Sequence, residues 1–438
     1  MATRRRRFIR LGFQPCARCR GRLFAKFARQ IELIRMAKGV QDFVGSRLEE
    51  ARLARGLTQT SLAQMVERSS STISSWESGR QVPEPDAIES LASKLNVRPS
   101  LFLRQSPPSE AMHFYRSNST LTLGLRKKAE ARLQWAKHLF SELEEWVDFP
   151  EPDFPRLGPV NYRLIDEAQI EECARDCRAR WGLGTGPIAD VIGTLETAGA
   201  IVVREELGGL KMDGVSAWCG LASRPFVLLA EDKASAVRSR FDAAHELGHL
   251  ILHEGVDPGE LSTSEYAELE SQAHRFASAF LLPAESFMRD LNAIDLESFI
   301  ILKRKWKVSV AAMIIRCFQM DVISEEYKSK LYKYMSARGW RRSEPLDDVL
   351  IPEVPQALSA AVKLVIEAEK YTRDGILEAV GLNAADAHHP LRRSASGRRR
   401  VRAGDDRGPV GDAGGAGRDR DGDGQGGRAQ GLRPRRER

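Results

Sequence analysis

Apolar side chains recur along this chain at two spacings, and each spacing predicts its own kind of element. The densest apolar run is Phe241-Asp-Ala-Ala-His245-Glu246-Leu-Gly-His249-Leu-Ile-Leu-His253. Phe241, Ala244, Gly248, Ile251 and Leu252 fall on one stripe of a helix there. The same three-to-four spacing predicts helices over 43–55, 59–66, 70–77 and the stretch through Ile88, Leu91, Ala92 and Leu95. It predicts one long helix over 121–147, then helices over 170–181, 189–198, 285–291, 297–306, 310–320, 324–337 and 354–370. Short runs of β-formers predict three strands, 200–204, 215–219 and 225–229. The pattern is therefore mainly α with a small β-sheet (α+β). His113-Phe-Tyr115-Arg116-Ser117 follows a Pro/Ser break at 106–109 and shows no period that assigns it an element.

The run at 241–253 contains His-Glu-x-x-His. On a helix His245 and His249 sit one turn apart on one face, about 6 Å along the axis. Two imidazoles so placed can share a metal ion, with Glu246 beside them to handle its water. Gly248 costs roughly 1 kcal/mol of helix propensity relative to Ala, so a close neighbour is expected there. Catalytic zinc takes a third protein ligand. His253 is four residues past His249 and about 12 Å from His245 along a straight helix, too far to share one ion. Glu270 is the better candidate. Ala273, Ala277 and Leu281 follow it at +3, +7 and +11, so its carboxylate faces inward, where it needs a partner. Glu265 and Glu268 are the alternatives, with mostly polar neighbours in helical register. His274 is either a supporting group, a rival ligand or simply packed.

Arg238-Ser-Arg-Phe241-Asp-Ala-Ala-His-Glu-Leu-Gly-His-Leu-Ile-Leu-His, followed by Glu270-x-x-Ala-x-x-Phe-Ala-x-x-Leu-Leu-x-Pro283, resembles the ImmA/IrrE family of metallopeptidases. The resemblance spans roughly 165–345 and takes in Gly199-Ala-Ile-Val-Val203, Asp213-Gly-Val-Ser216, Trp306-Lys-Val-Ser309 and Arg338-Gly-Trp340. It implies zinc, one ion per chain, held by His245, His249 and Glu270, with Glu246 as general base and a repressor protein as substrate. His274 stands where that pattern usually has Asn.

The segment 43–104 resembles the Cro/C1-type (XRE) helix-turn-helix through Leu57-Thr-Gln-x-x-Leu-Ala63, Thr72-Ile-Ser-x-Trp-Glu-x-Gly79 and Val82-Pro. Thr58 and Ser69 are natural N-caps for its second and third helices. In that fold the helix starting at Ser70 enters the major groove. The resemblance places Ser70, Ser71, Thr72 and Ser75 at base edges and Gln59 and Arg80 on phosphates. Hydroxyls discriminate bases less sharply than the bidentate Arg, Asn or Gln.

The formal net charge of +7 hides an uneven distribution. Residues 1–40 hold 12 Lys and Arg against one acid, and 391–438 hold 14 Arg against seven acids, so 41–390 carries −11. The basic balance belongs to the ends and says nothing of nucleic-acid binding by the middle. Translation starting at Met36 accounts for the irregular 1–35, where Arg5-Arg6-Arg7-Phe8 lacks the apolar run of an export signal. The Gly/Arg-rich 389–438 reads as a read-through or frame-shifted end that cannot bury a core. Scattered cysteines without an export signal read as cytoplasmic thiols, and no apolar stretch is long enough to span a membrane. The expected order is a basic extension at 1–40 and the helix-turn-helix at 43–104. A helical spacer or dimerisation element with a Pro-rich linker fills 105–158, and the peptidase unit 159–345. Helical 346–388 precedes the tail. The expected partners are a double-stranded DNA operator, a protein substrate and a second copy of the chain. The rival expectation is a transcription factor of the antitoxin sort whose zinc domain senses or scaffolds and cleaves nothing.

Overall fold

The computed structural model describes residues 42–105, 113–117, 123–157, 161–208, 212–219, 224–231 and 235–384. The expectations for 1–40 and 389–438 lie outside them. Four helices come first: α1 (Gly45–Ala54), α2 (Gln59–Met65), α3 (Ser70–Glu77) and α4 (Pro85–Leu95). The Thr58 hydroxyl accepts the Ser61 N–H at 3.0 Å, and the Ser69 hydroxyl accepts the Thr72 N–H at 3.1 Å. Both caps stand where the sequence predicts them. Strand β1 (His113–Ser117) and the long helix α5 (Leu123–Glu144) follow, then α6 (Glu167–Arg180) and α7 (Val191–Thr197). Strands β2 (Ile201–Glu205), β3 (Met212–Cys219) and β4 (Arg224–Ala230) lead into α8 (Ala236–Leu252) and α9 (Thr263–Leu281). The remaining helices are α10 (Ala284–Asp290), α11 (Leu296–Trp306), α12 (Val310–Gln319), α13 (Glu325–Ala337), α14 (Ala357–Glu367) and α15 (Arg373–Val380).

The sheet runs β1-β3-β4-β2. β2 is parallel to β4, and β3 is antiparallel to both β4 and β1. Three strands were expected; His113–Ser117 supplies a fourth. An edge strand takes its form from the partner it pairs with, not from its own propensity, and that partner lies about a hundred residues downstream.

Side chains alternate across the pleat. Ile201, Val203, Val215, Ala217, Phe226 and Leu228 join a core that includes α1, α5, α14 and α15. Val202, Val227 and Leu229 face the opposite way, into a second core with α8 and α9. The sheet is thus the middle of three layers.

α5, expected as a spacer or dimerisation element, is packed within the chain. Ala129, Leu133, Trp135, Ala136, Leu139 and Leu143 are buried along it. It packs on α1 of the N-terminal head, on the sheet and on α14 and α15. Arg132 donates to the Ala54 carbonyl at 3.2 Å, Arg104 pairs with Glu142 at 2.6 Å, and buried Arg47 meets His138 Nδ1 at 2.8 Å. The helix is a strut inside one body. The stretch expected as a linker is tied down too, since the Asp153 N–H donates to the Ala198 carbonyl at 2.9 Å and Arg224 donates to the Pro150 carbonyl at 2.7 Å.

Candidate metal centre

α8 carries the centre, and of its residues only Arg238 escapes burial. The sheet covers one side and α9 the other. Asp242, His245, Glu246 and His249 are therefore polar groups in a site that water scarcely reaches, a placement that costs free energy unless each is partnered.

Gly248 sets how close α9 can come. A Cβ at that position would lie 3.1 Å from both Cα and O of Ala273 and 3.3 Å from Cβ of Phe276. The close neighbour expected from the sequence is thus the α9 backbone. That approach brings Glu270, at the preceding turn of α9, onto the two histidines. Nε2 of His245 and of His249 are 3.0 Å apart. Glu270 Oε2 is 3.4 Å from the first, and Oε1 is 3.4 Å from the second. One ligand atom from each of the three residues falls within 4.8 Å of the others. Burial pushes the Glu270 carboxyl up, but the two imidazoles beside it outweigh burial and hold the group well below the usual carboxylate range.

These groups fit a zinc ion. Ligand atoms about 2.1 Å from a tetrahedral ion sit roughly 3.4 Å from one another, close to the separations found. Glu270 Oε1 is also buried without a hydrogen bond.

A hydrogen-bonded chain fixes how His249 presents itself. The Gln272 amide donates from Nε2 to the Tyr162 carbonyl at 2.9 Å, which leaves Oε1 to accept from His253 Nε2 at 2.9 Å. Burial pushes His253 down to about 3, so its imidazole is neutral and accepts at Nδ1. His249 Nδ1 donates to it across 2.9 Å. The Nε2 lone pair of His249 is thereby aimed at His245 and Glu270. His253 stands outside the group of candidate ligands and touches it through His249.

Glu246 projects from α8 toward β3. Its room comes from Gly214: a Cβ there would lie 2.7 Å from Glu246 Oε1. Trp218 on the same strand donates to the Leu250 carbonyl at 3.0 Å and locks β3 onto α8. His274 packs edge-on against His245, ring centres 4.5 Å apart, and its Nδ1 lies 2.8 Å from the Glu270 carbonyl oxygen. Glu265 is the N3 residue of a capping box with Ser262 and pairs with Arg163, and Glu268 is exposed. Neither belongs to the centre. A cavity of about 330 Å³ opens beside His274, lined among others by Asp213, Arg238, Phe241, Asp242, Ser278 and Tyr332.

Sequence reasoning missed three participants. Gly214 lay within Asp213-Gly-Val-Ser216 but had no role assigned. Gln272 lies off the Glu270-Ala273-Ala277 stripe, and the Tyr162 carbonyl is a backbone group with no side-chain signature.

In the head, Ser70, Ser71 and Arg80 are exposed, and Thr72 and Ser75 are partly so. The first turn of α3 is open to a partner. Ser69 Oγ lies 2.7 Å from Ser71 Oγ and 2.8 Å from Thr72 Oγ1, so part of their bonding capacity is spent on the cap. Gln59 donates to Glu77 at 2.7 Å, and Glu77 also takes both ends of a buried pair with Arg52. Gln59 is thus held in place from within the head.

Residues 195–318 match the family model described as the IrrE N-terminal-like domain, peptidase family M78. Residues 44–103 match the model of a helix-turn-helix domain. No curated protein matches the chain. Among the described residues no helix is long and apolar enough to cross a membrane.

Proposed function

From a chain that joins a helix-turn-helix domain to an IrrE N-terminal-like peptidase domain, we propose a cytoplasmic DNA-binding regulator that is also a zinc-dependent endopeptidase acting on a repressor protein. One observation carries the reading. His245, His249 and Glu270 converge from two helices within 4.8 Å, with Glu246 on the same helix as the histidines.

His245, His249 and Glu270 would hold one zinc ion, the histidines through Nε2. When bound, zinc supplies Lewis acidity to a water and to the scissile carbonyl. Glu246 takes the proton of the attacking water on its carboxylate and delivers it to the leaving amine. Gly214 keeps that carboxylate unobstructed, and the Gln272–His253 pair holds His249 in its ligating tautomer. The exposed first turn of α3, with Ser70, Ser71, Thr72 and Ser75, is the surface offered to an operator; Arg80 and Gln59, the latter held by Glu77, are its phosphate contacts. Heads of this kind act in pairs on two half-sites, so a homodimer is part of the reading.

Glu246→Gln tests it. The variant should bind one zinc per chain by metal analysis and fail to hydrolyse any candidate repressor that the parent protein cleaves. Substoichiometric zinc in gently purified parent protein would sink the reading. Operator control that survives Glu246→Gln untouched would favour the non-cleaving sensor instead.

A further inference from the structure

The matched peptidase segment contains β2, β3 and β4, and without β1 one of its two edges is β3. That edge is the one beside the centre, since Gly214 backs onto the Glu246 carboxylate. β1 comes from outside both matched segments, between the head and α5. It lies antiparallel along β3 with His113 opposite Ala217, Phe114 opposite Ser216, Tyr115 opposite Val215 and Arg116 opposite Gly214. Directly opposed α-carbons in such a pair are about 5 Å apart, so the Arg116 backbone passes close to the Gly214–Glu246 contact. The ladder then shifts register between Arg116 and Ser117, at the same place.

An extended peptide binds a sheet by adding a strand to an open edge, its main chain supplying the hydrogen bonds. β1 does this in cis. We infer that β1 is an internal occupant of the edge that receives the substrate peptide, and that it must leave β3 before a protein substrate can be threaded past Glu246. The identity of the displaced competitor rests on the peptidase reading; the occupancy of the edge does not. The broken register beside Gly214 explains why the occupant can be held there without presenting a regularly paired peptide bond to Glu246.

The test uses peptide binding to full-length protein carrying Glu246→Gln, so that no cleavage intervenes. The probe is a fluorescein-labelled synthetic peptide with the sequence of residues 111–119, followed by anisotropy. Phe114→Pro and Tyr115→Pro are added singly. Neighbouring strand residues direct their N–H groups to opposite sides, so only one of the two prolines removes a donor to β3, while the other is tolerated at an outward position. One variant should bind the peptide about tenfold more tightly than the Glu246→Gln parent, the worth of roughly one hydrogen bond, and the other should match the parent. Equal behaviour of the two variants overturns the inference.

If the sensitive variant does not fold, hydrogen exchange on the parent decides. Saturating peptide should strip protection from 113–117 and leave 212–219 protected, and unchanged protection of 113–117 overturns the inference. Zinc loading and hydrolysis are scored separately with Glu246 intact, so failure of the peptidase reading shows there and not in peptide binding.

Discussion

Gly248→Ala probes the centre through the backbone that spaces its two helices. The added Cβ meets the Cα and O of Ala273 at 3.1 Å and Cβ of Phe276 at 3.3 Å. The first two are main-chain atoms of α9 and cannot swing aside, so α9 must give by a few tenths of an ångström. Two effects oppose. Alanine gains about 1 kcal/mol of helix propensity, whereas overpacking a tight contact costs about 1–3 kcal/mol. The net loss of stability is therefore at most about 2 kcal/mol, and the fold should survive. The metal site is less forgiving, because ligand distances tolerate only about 0.2 Å. Glu270 is carried on the same stretch of α9 and would retreat from both imidazoles. Zinc affinity should fall about tenfold or more, measured by competition with a chelating dye, while the metal-free protein melts within several degrees of the parent. A variant that melts higher and binds zinc as tightly as the parent would refute the reasoning, since it would show that α9 is not braced by Gly248.

Gln272→Leu removes the acceptor for His253 Nε2 and should weaken zinc binding about 10–100-fold with little change in far-UV circular dichroism; unchanged affinity would mean that the Tyr162–Gln272–His253 chain orients nothing. Glu196 accepts the N–H groups of Gln356 and Ala357, and burial pushes its carboxyl up to about 7. The folded protein therefore holds a proton that the unfolded chain has released between about pH 4.5 and 7. Its contribution to stability is undiminished below that window and declines as pH rises through it, by on the order of 3 kcal/mol. Glu196→Gln should abolish that decline in urea titrations compared across the window, and an identical pH profile in both proteins would contradict it. In DNA binding, Arg80→Ala should lower affinity evenly across sequences and reduce the salt slope by about 1, whereas Ser70→Ala with Ser71→Ala should alter sequence preference; the reverse pattern would exchange their roles.

What the sequence disclosed was local. His245, Glu246 and His249 share one helix, and Glu270 declares itself through three small or apolar residues on its own helix. Thr58 and Ser69 are caps within three residues of the N–H groups they satisfy. What stayed hidden depends on partners far along the chain. His113–Ser117 is a strand because β3 is there to pair with it. The helical pattern of α5 was plain, but nothing in it tells that α1 lies on one side and the sheet on another. Gly214 matters for the Glu246 carboxylate it leaves room for, and Gln272 for the Tyr162 carbonyl, 110 residues away.

The strut role of α5 has a bearing on what proteolysis could do to this protein. The head touches the rest through Arg47 and His138, through Arg132 and the Ala54 carbonyl, and through Arg98, which pairs with Glu378 at 2.7 Å. A cut anywhere between the head and α5 would sever the polypeptide and leave all of these contacts in place. Loss of covalent continuity and loss of the particle are then separate events. A nicked molecule should still elute from a sizing column as one species, and come apart only in denaturant.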